Sequence, residues 1–93
     1  MANTKLVKLL KKDVHEFNRF RKEQGNSQII DFEKANLMGV NLDGADLSGV
    51  NLSQANLREA KIENVNFDSA YIFQTDMKNS LFKNVNMSNI NIA

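Results

Sequence analysis

The chain has 93 residues, with 12 Lys or Arg against 11 Asp or Glu and a net charge of +1. This is one small domain, whose compact core is marginal unless a repeat, a staple or a partner adds to it. The absence of Cys excludes disulfides and thiolate metal sites, no apolar run reaches membrane-spanning length, and the near-neutral charge points to neither nucleic acid nor an acidic mimic.

The opening, "MANTKLVKLLKKD", spreads cations through its apolar residues and carries no small-residue cleavage site. It does not read as a secretory signal, and the expected address is the cytoplasm. Residues 1–29 hold seven Lys or Arg and three Asp or Glu, hence +4, and residues 30–93 hold five and eight, hence −3. That split implies two differently built segments.

Residues 1–29 read as one amphipathic helix over about 4–23 and a loop, "EQGNSQ". Leu6, Leu10, Val14 and Phe17 recur at spacings of three or four, with Leu9 and Phe20 beside them. Lys8, Lys11, Lys12, Asp13, Glu16, Arg19 and Lys22 fill much of the other face. Asn3 or Thr4 is the expected start cap and Gly25 the expected stop. The acidic residues dilute the cations of a membrane-binding helix. The expected job is instead to cover the end of the adjoining segment, through Leu6, Leu10, Val14, Phe17 and Phe20.

Residues 30–93 repeat with a period of five. The third place of each unit is Phe32, Leu37, Leu42, Leu47, Leu52, Leu57, Ile62, Phe67, Ile72, Met77, Phe82, Met87 or Ile92, all large and apolar. Two places earlier stand small or β-branched residues, from Ile30 and Ala35 to Val85 and Ile90. Five is neither the 3.6 of a helix nor the 2 of a strand, so the chain must turn once per unit. One large and one small inward residue per unit suits a narrow all-β solenoid.

The run "ANLMGVNLDGADLSGVNLSQANLRE" resembles the small-[Asn/Asp]-Leu-x-x units of the pentapeptide-repeat proteins. That resemblance implies a right-handed quadrilateral β-helix, four units to a coil and about three coils here, capped by one N-terminal α-helix. "EFNRFRKEQGNSQIIDFEKANL" is similar to the lead-in that caps some short members.

With four units to a coil, residues twenty apart stack at about 4.8 Å. The core columns become Phe32–Leu52–Ile72–Ile92, Leu37–Leu57–Met77, Leu42–Ile62–Phe82 and Leu47–Phe67–Met87. Phe32, Leu37, Leu42, Leu47, Leu52, Leu57, Ile62, Phe67 and Ile72 are the expected core ladder. In the second places Asn and Asp are suited to bond nearby backbone at turns, as in Asn36–Asn56–Asp76, but the column Asn41–Lys61–Leu81 departs after its first member. Gly39, Gly44 and Gly49 mark corners whose later counterparts are Gln, Asn, Glu and Ser, so the corners are expected to loosen or change type along the axis.

Little here points to catalysis. His15, the only His, stands on a charged helix face. Asp43 and Glu63 share a column with Lys83 above, but a flat β-helix side lacks the cleft a glycosidase needs, and a solvated ladder of charges is the better reading. Arg58 and Lys78 form a cationic stripe over Met38 in the same sense. No cofactor or metal is expected, since neither an Asp-rich Ca²⁺ loop nor a Gly-rich phosphate loop occurs.

The expected activity is therefore that of a non-enzymatic protein-binding scaffold or small modulator. The chain ends at "VNMSNINIA", leaving Met77, Phe82 and Met87 with no coil above them and only Ile72 with a successor, Ile92. An uncovered apolar solenoid end calls for a partner, most simply a second copy in a homodimer, although an unidentified protein or a frayed monomer end is also compatible. Dimerisation through the C-terminal coil also occurs in the gyrase-protecting members of the family resembled. Tyr71 and Phe73, where sibling units are polar, are either the margin of that interface or aromatics a β surface tolerates. The second reading, also implied by the resemblance, is a DNA-mimic inhibitor or protector of a DNA enzyme such as a topoisomerase. Duplex DNA carries one charge per about 1.7 Å of axis, and −3 with scattered Lys argues against it. Direct nucleic-acid binding lacks an aromatic platform among the helix cations.

Overall fold

A computed structural model describes residues 2–25 and 28–92. Two helices, α1 (Thr4–Lys12) and α2 (Val14–Gln24), precede a repeat region whose regular strands, among the described residues, are β1 (Lys61–Glu63) and β2 (Leu81–Lys83). Part of the loop expected over "EQGNSQ", residues 26 and 27, lies outside the described residues.

The single helix expected over 4–23 is in fact two. Asp13 is extended, with φ −158° and ψ 101°. Its N–H still donates to Leu9 O and closes α1, while its carboxylate accepts the Glu16 N–H at 3.1 Å and opens α2. A short acidic side chain competes well for free backbone N–H groups, which is why it favours a cap over a helix interior. The spacing Asp13-x-x-Glu16 is that of a capping box. Lys11 and Lys12 then finish α1, and Glu16 sits in the first turn of α2, each on the favourable side of its helix dipole. Asn3 caps α1 through its side chain at 3.1 Å, and Gly25, at φ 78°, closes α2.

From residue 30 onward the chain comes back over itself every twenty residues. Parallel bridges join Asp31 to Asn51, Asn51 to Tyr71 and Tyr71 to Asn91 on one side. Asn36–Asn56–Asp76, Asn41–Lys61 and Asp46–Asn66–Asn86 do so on the others, and β1 pairs with β2 in register Ile62↔Phe82. The segments 30–49, 50–69 and 70–89 therefore lie one on the next as layers of a β-helical solenoid.

The second-place residues hold the turns. The side-chain oxygens of Asp31, Asn36, Asn41, Asp46, Asn51, Asn56, Asn66, Asp76 and Asn86 each accept the N–H two residues on. Lys61 and Leu81 lack such an oxygen, and there the chain stays extended as β1 and β2 up to the corners at Asn64 and Asn84; Tyr71 lacks one too, yet its unit keeps the turn bond from Thr75 N–H to Ile72 O.

The corners do not loosen. Every fifth-place residue from Lys34 to Asn89 has φ between 54° and 82°, Gly or not. The cost of that conformation in Gln54, Glu59 or Ser69 is borne because the stacked backbone fixes it. N–H groups of these corners donate straight up the solenoid, as Gln54 does to Phe73 O at 2.8 Å. A change of corner type is confined to the side of β1 and β2.

Phe32, Leu37, Leu42, Leu47, Leu52, Leu57, Ile62 and Phe67 are fully buried. Ile72, expected with them, is only partly buried, because among the described residues only the short run ending at Ile92 lies over it.

Candidate interaction surface

The two ends of the solenoid are finished differently. At the N-terminal end the first layer turns carbonyl groups outward, and the helices meet them. Asn3 N–H donates to Asp31 O at 2.7 Å. The Arg21 guanidinium donates to Asp46 O and Ser48 O, both at 2.7 Å, and lies 3.4 Å from the Asp46 carboxylate. The Asn18 carboxamide donates to Gly44 O and accepts from Asp46 N–H, both at 2.9 Å. Beneath these bonds Leu6, Leu10 and Phe17 are buried, with Phe17 against Phe32 at 5.9 Å between ring centroids. Val14 and Phe20 are partly buried beside them.

At the C-terminal end the column residues Phe82 and Met87 occupy the same inward places as Leu42 and Leu47, yet they are 46% and 39% exposed. Ile92 is 67% exposed. Met77 is half-buried against the core, so of the residues expected at this surface it contributes least. Tyr71 and Phe73 are exposed on the first side of the third layer, below Asn91. Leu81, exposed in an outward second place, belongs to the same apolar end. Its signal was the loss of Asn in the column Asn41–Lys61–Leu81.

Polar groups trim one part of that end. Thr75 and Ser80 stand where the layers below have Ala55 and Ala60. Their hydroxyls donate down to Leu52 O at 2.7 Å and Leu57 O at 2.6 Å, so neither hydroxyl is stranded at the apolar edge. Asn91 ties the last residues down: its N–H donates to Ala70 O, its carbonyl accepts from Ile72 N–H, and its carboxamide donates to Ser69 O.

The charged groups on the sides are dispersed. Asp43 accepts from the Asn64 carboxamide at 2.9 Å, and Asn64 in turn accepts from Asn84 at 2.7 Å. Glu63 has Lys61 at 3.9 Å, on its own strand, in place of the Lys83 expected above it. Arg58 approaches Asp76 at 3.9 Å, which interrupts the expected cationic stripe, while Met38 and Lys78 are exposed. His15 is exposed beside a recess of about 460 Å³ that Lys11, Lys12, Asp13 and Asp43 help to line. Among the described residues no group of three His, Cys, Asp or Glu side chains is placed to hold a metal ion, and no helix is long and apolar enough to cross a membrane.

A family model of pentapeptide repeats, in eight copies, matches residues 35–72 and 51–89. No curated protein matches the chain.

Proposed function

The chain belongs to the pentapeptide-repeat family, and on that premise we propose that it is a non-enzymatic, cytoplasmic binding scaffold that works as a homodimer joined through its C-terminal end. Its winding in this reading is a right-handed quadrilateral of about three coils, with residues 1–29 as cap and 30–93 as β-helix.

One observation carries the proposal. The end bearing Leu81, Phe82, Met87 and Ile92 keeps large apolar side chains in water, while the inward residues one layer down are covered. Burying such a side chain is worth about 1.5–3 kcal/mol, so a matching surface gains from covering several at once. Methionine adds a side chain that adapts to its neighbour.

Sedimentation at micromolar concentration tests it. The wild type runs as a dimer, and Phe82→Glu, which sets a charge in the middle of the contact, runs as a folded monomer. A soluble wild-type monomer throughout that range contradicts the proposal. The competing DNA-mimic reading requires a continuous acidic side. The Lys61–Glu63 and Arg58–Asp76 pairs weigh against one.

A further inference from the structure

The proposed dimer leaves open which side of the end meets the second copy, and the backbone distinguishes β2 from its neighbours. Leu81 N–H donates to Ala60 O at 3.0 Å, and Lys83 O accepts from Asn64 N–H at 2.9 Å. Both residues thus face the layer below. Phe82 lies between them, and by strand alternation its N–H and C=O both face away. Ser80 O and Asn84 N–H face the same way, as Ala60 O and Asn64 N–H do one layer down.

The two sides of this layer that precede β2 lack that balance. There the third-place carbonyl is spent within its own turn, accepting from Thr75 N–H at Ile72 (3.2 Å) and from Ser80 N–H at Met77 (3.3 Å). Such a side offers the next layer more N–H groups than carbonyls. Among the described residues Val85 makes no corresponding bond to Phe82, because the chain is straight through β2. Along β2 donors and acceptors are equal in number, and an edge of that kind can pair with itself.

Resting on the dimer reading above, we infer that a second copy of this chain docks antiparallel on β2, about a twofold axis through Phe82. Phe82 and Phe82 of the second copy then exchange both backbone hydrogen bonds, and each Asn84 N–H donates to Ser80 O across the axis. The two Phe82 rings lie on the core face and continue the column Leu42–Ile62–Phe82 through the interface. On the outer face Lys83 stands opposite Leu81 of the second copy and not opposite another Lys83, so the strand's charge does not meet its like directly. Parallel stacking in register would set Lys83 over Lys83, and the opposite end of the solenoid is occupied by α1 and α2. The area also suits a second copy. The molecule measures 32 × 27 × 25 Å, so whichever extent follows the solenoid axis an end face is at most several hundred Å², and end-on contact buries on the order of 1,000 Å² in total, where specific interfaces begin. A lone strand would cover one side only and leave Met87 and Ile92 in water.

Disulfide trapping tests the register cleanly, because the chain has no Cys of its own. Opposite residues of a non-hydrogen-bonded antiparallel pair have Cα atoms about 4.5 Å apart, within disulfide reach, whereas diagonal ones are about 7–8 Å apart and bridge poorly. Leu81→Cys and Lys83→Cys proteins, both altered at exposed positions, are prepared separately and oxidised alone and mixed. The mixture gives cross-linked dimer at several-fold the yield of either alone. Asp76→Cys mixed with Lys78→Cys, the equivalent places on the neighbouring side, gives none above background. If wild type sediments as a dimer but the Leu81→Cys and Lys83→Cys mixture does not cross-link, the β2 pairing is overturned and the dimer stands. Preferential trapping through Asp76→Cys and Lys78→Cys moves the axis to that side and overturns it too. A wild-type monomer overturns both readings.

Discussion

The first and third layers of this solenoid are built on the same five-residue plan and end in opposite conditions. Below Phe32, Leu37, Leu42 and Leu47 lie two helices, and those four residues are wholly buried. Above Ile72, Met77, Phe82 and Met87, among the described residues, lies only the short run ending at Ile92, and none of them is. The difference teaches that a periodic inward pattern is necessary for burial and not sufficient. In a stacked array each unit is covered by its neighbours, so the last unit depends on whatever comes next.

The backbone repeats the lesson. An end layer of a β-helix turns out unpaired polar groups, as the edge of any sheet does. At the N-terminal end Arg21, Asn18 and Asn3 satisfy several of them. At the C-terminal end Asn91 satisfies those of one side, and β2 remains an edge open to pairing.

Substitutions can sharpen this contrast, beginning with the largest expected effect. Leu57→Ala in the middle layer should cost about 2–5 kcal/mol, as buried Leu truncations do, measured by urea unfolding. The matched change Phe82→Ala should cost the monomer far less, because that ring is already half in water; equal losses would erase the distinction between the layers. Arg21→Met keeps the apolar stem but removes the donors to Asp46 O and Ser48 O. A loss of about 1.5–3 kcal/mol is expected, the range for hydrogen bonds from a charged group, and no loss would mean that water replaces the guanidinium freely. Asp13→Ala should cost about 1 kcal/mol by removing a helix N-cap, with helical circular dichroism largely kept.

The repeat was legible in full, because large apolar residues every fifth place admit no ordinary helix or strand. Columns such as Leu37–Leu57–Met77 did not follow from the period alone but from the four units to a coil that the family resemblance implies, and the bridges Asn36–Asn56 and Asn56–Asp76 run beside that column. The break at Asp13 is written as a capping-box spacing but is hidden by an apolar stripe that continues through it, from Leu10 to Val14 and Phe17. The loss of Gly is a poor guide to corner geometry: Gln54 and Glu59 accept left-handed φ because bonds between layers hold them there. Arg21 could not be recognised as a clamp on Asp46 O and Ser48 O, since its partners lie more than twenty residues away. At the open end, Phe82 and Met87 could be read from the sequence, whereas the self-complementary edge of β2 depends on a turn hydrogen bond that Phe82 O does not receive.

The most direct test of the account is amide hydrogen exchange at increasing protein concentration. If the C-terminal end is completed by a second copy, the N–H groups of Phe82 and Asn84 gain protection as concentration rises, while those of Leu37 and Leu57 do not change beyond the global stability. Protection at Phe82 and Asn84 that is already as high as at Leu57 in dilute solution, or that is indifferent to concentration, would contradict it.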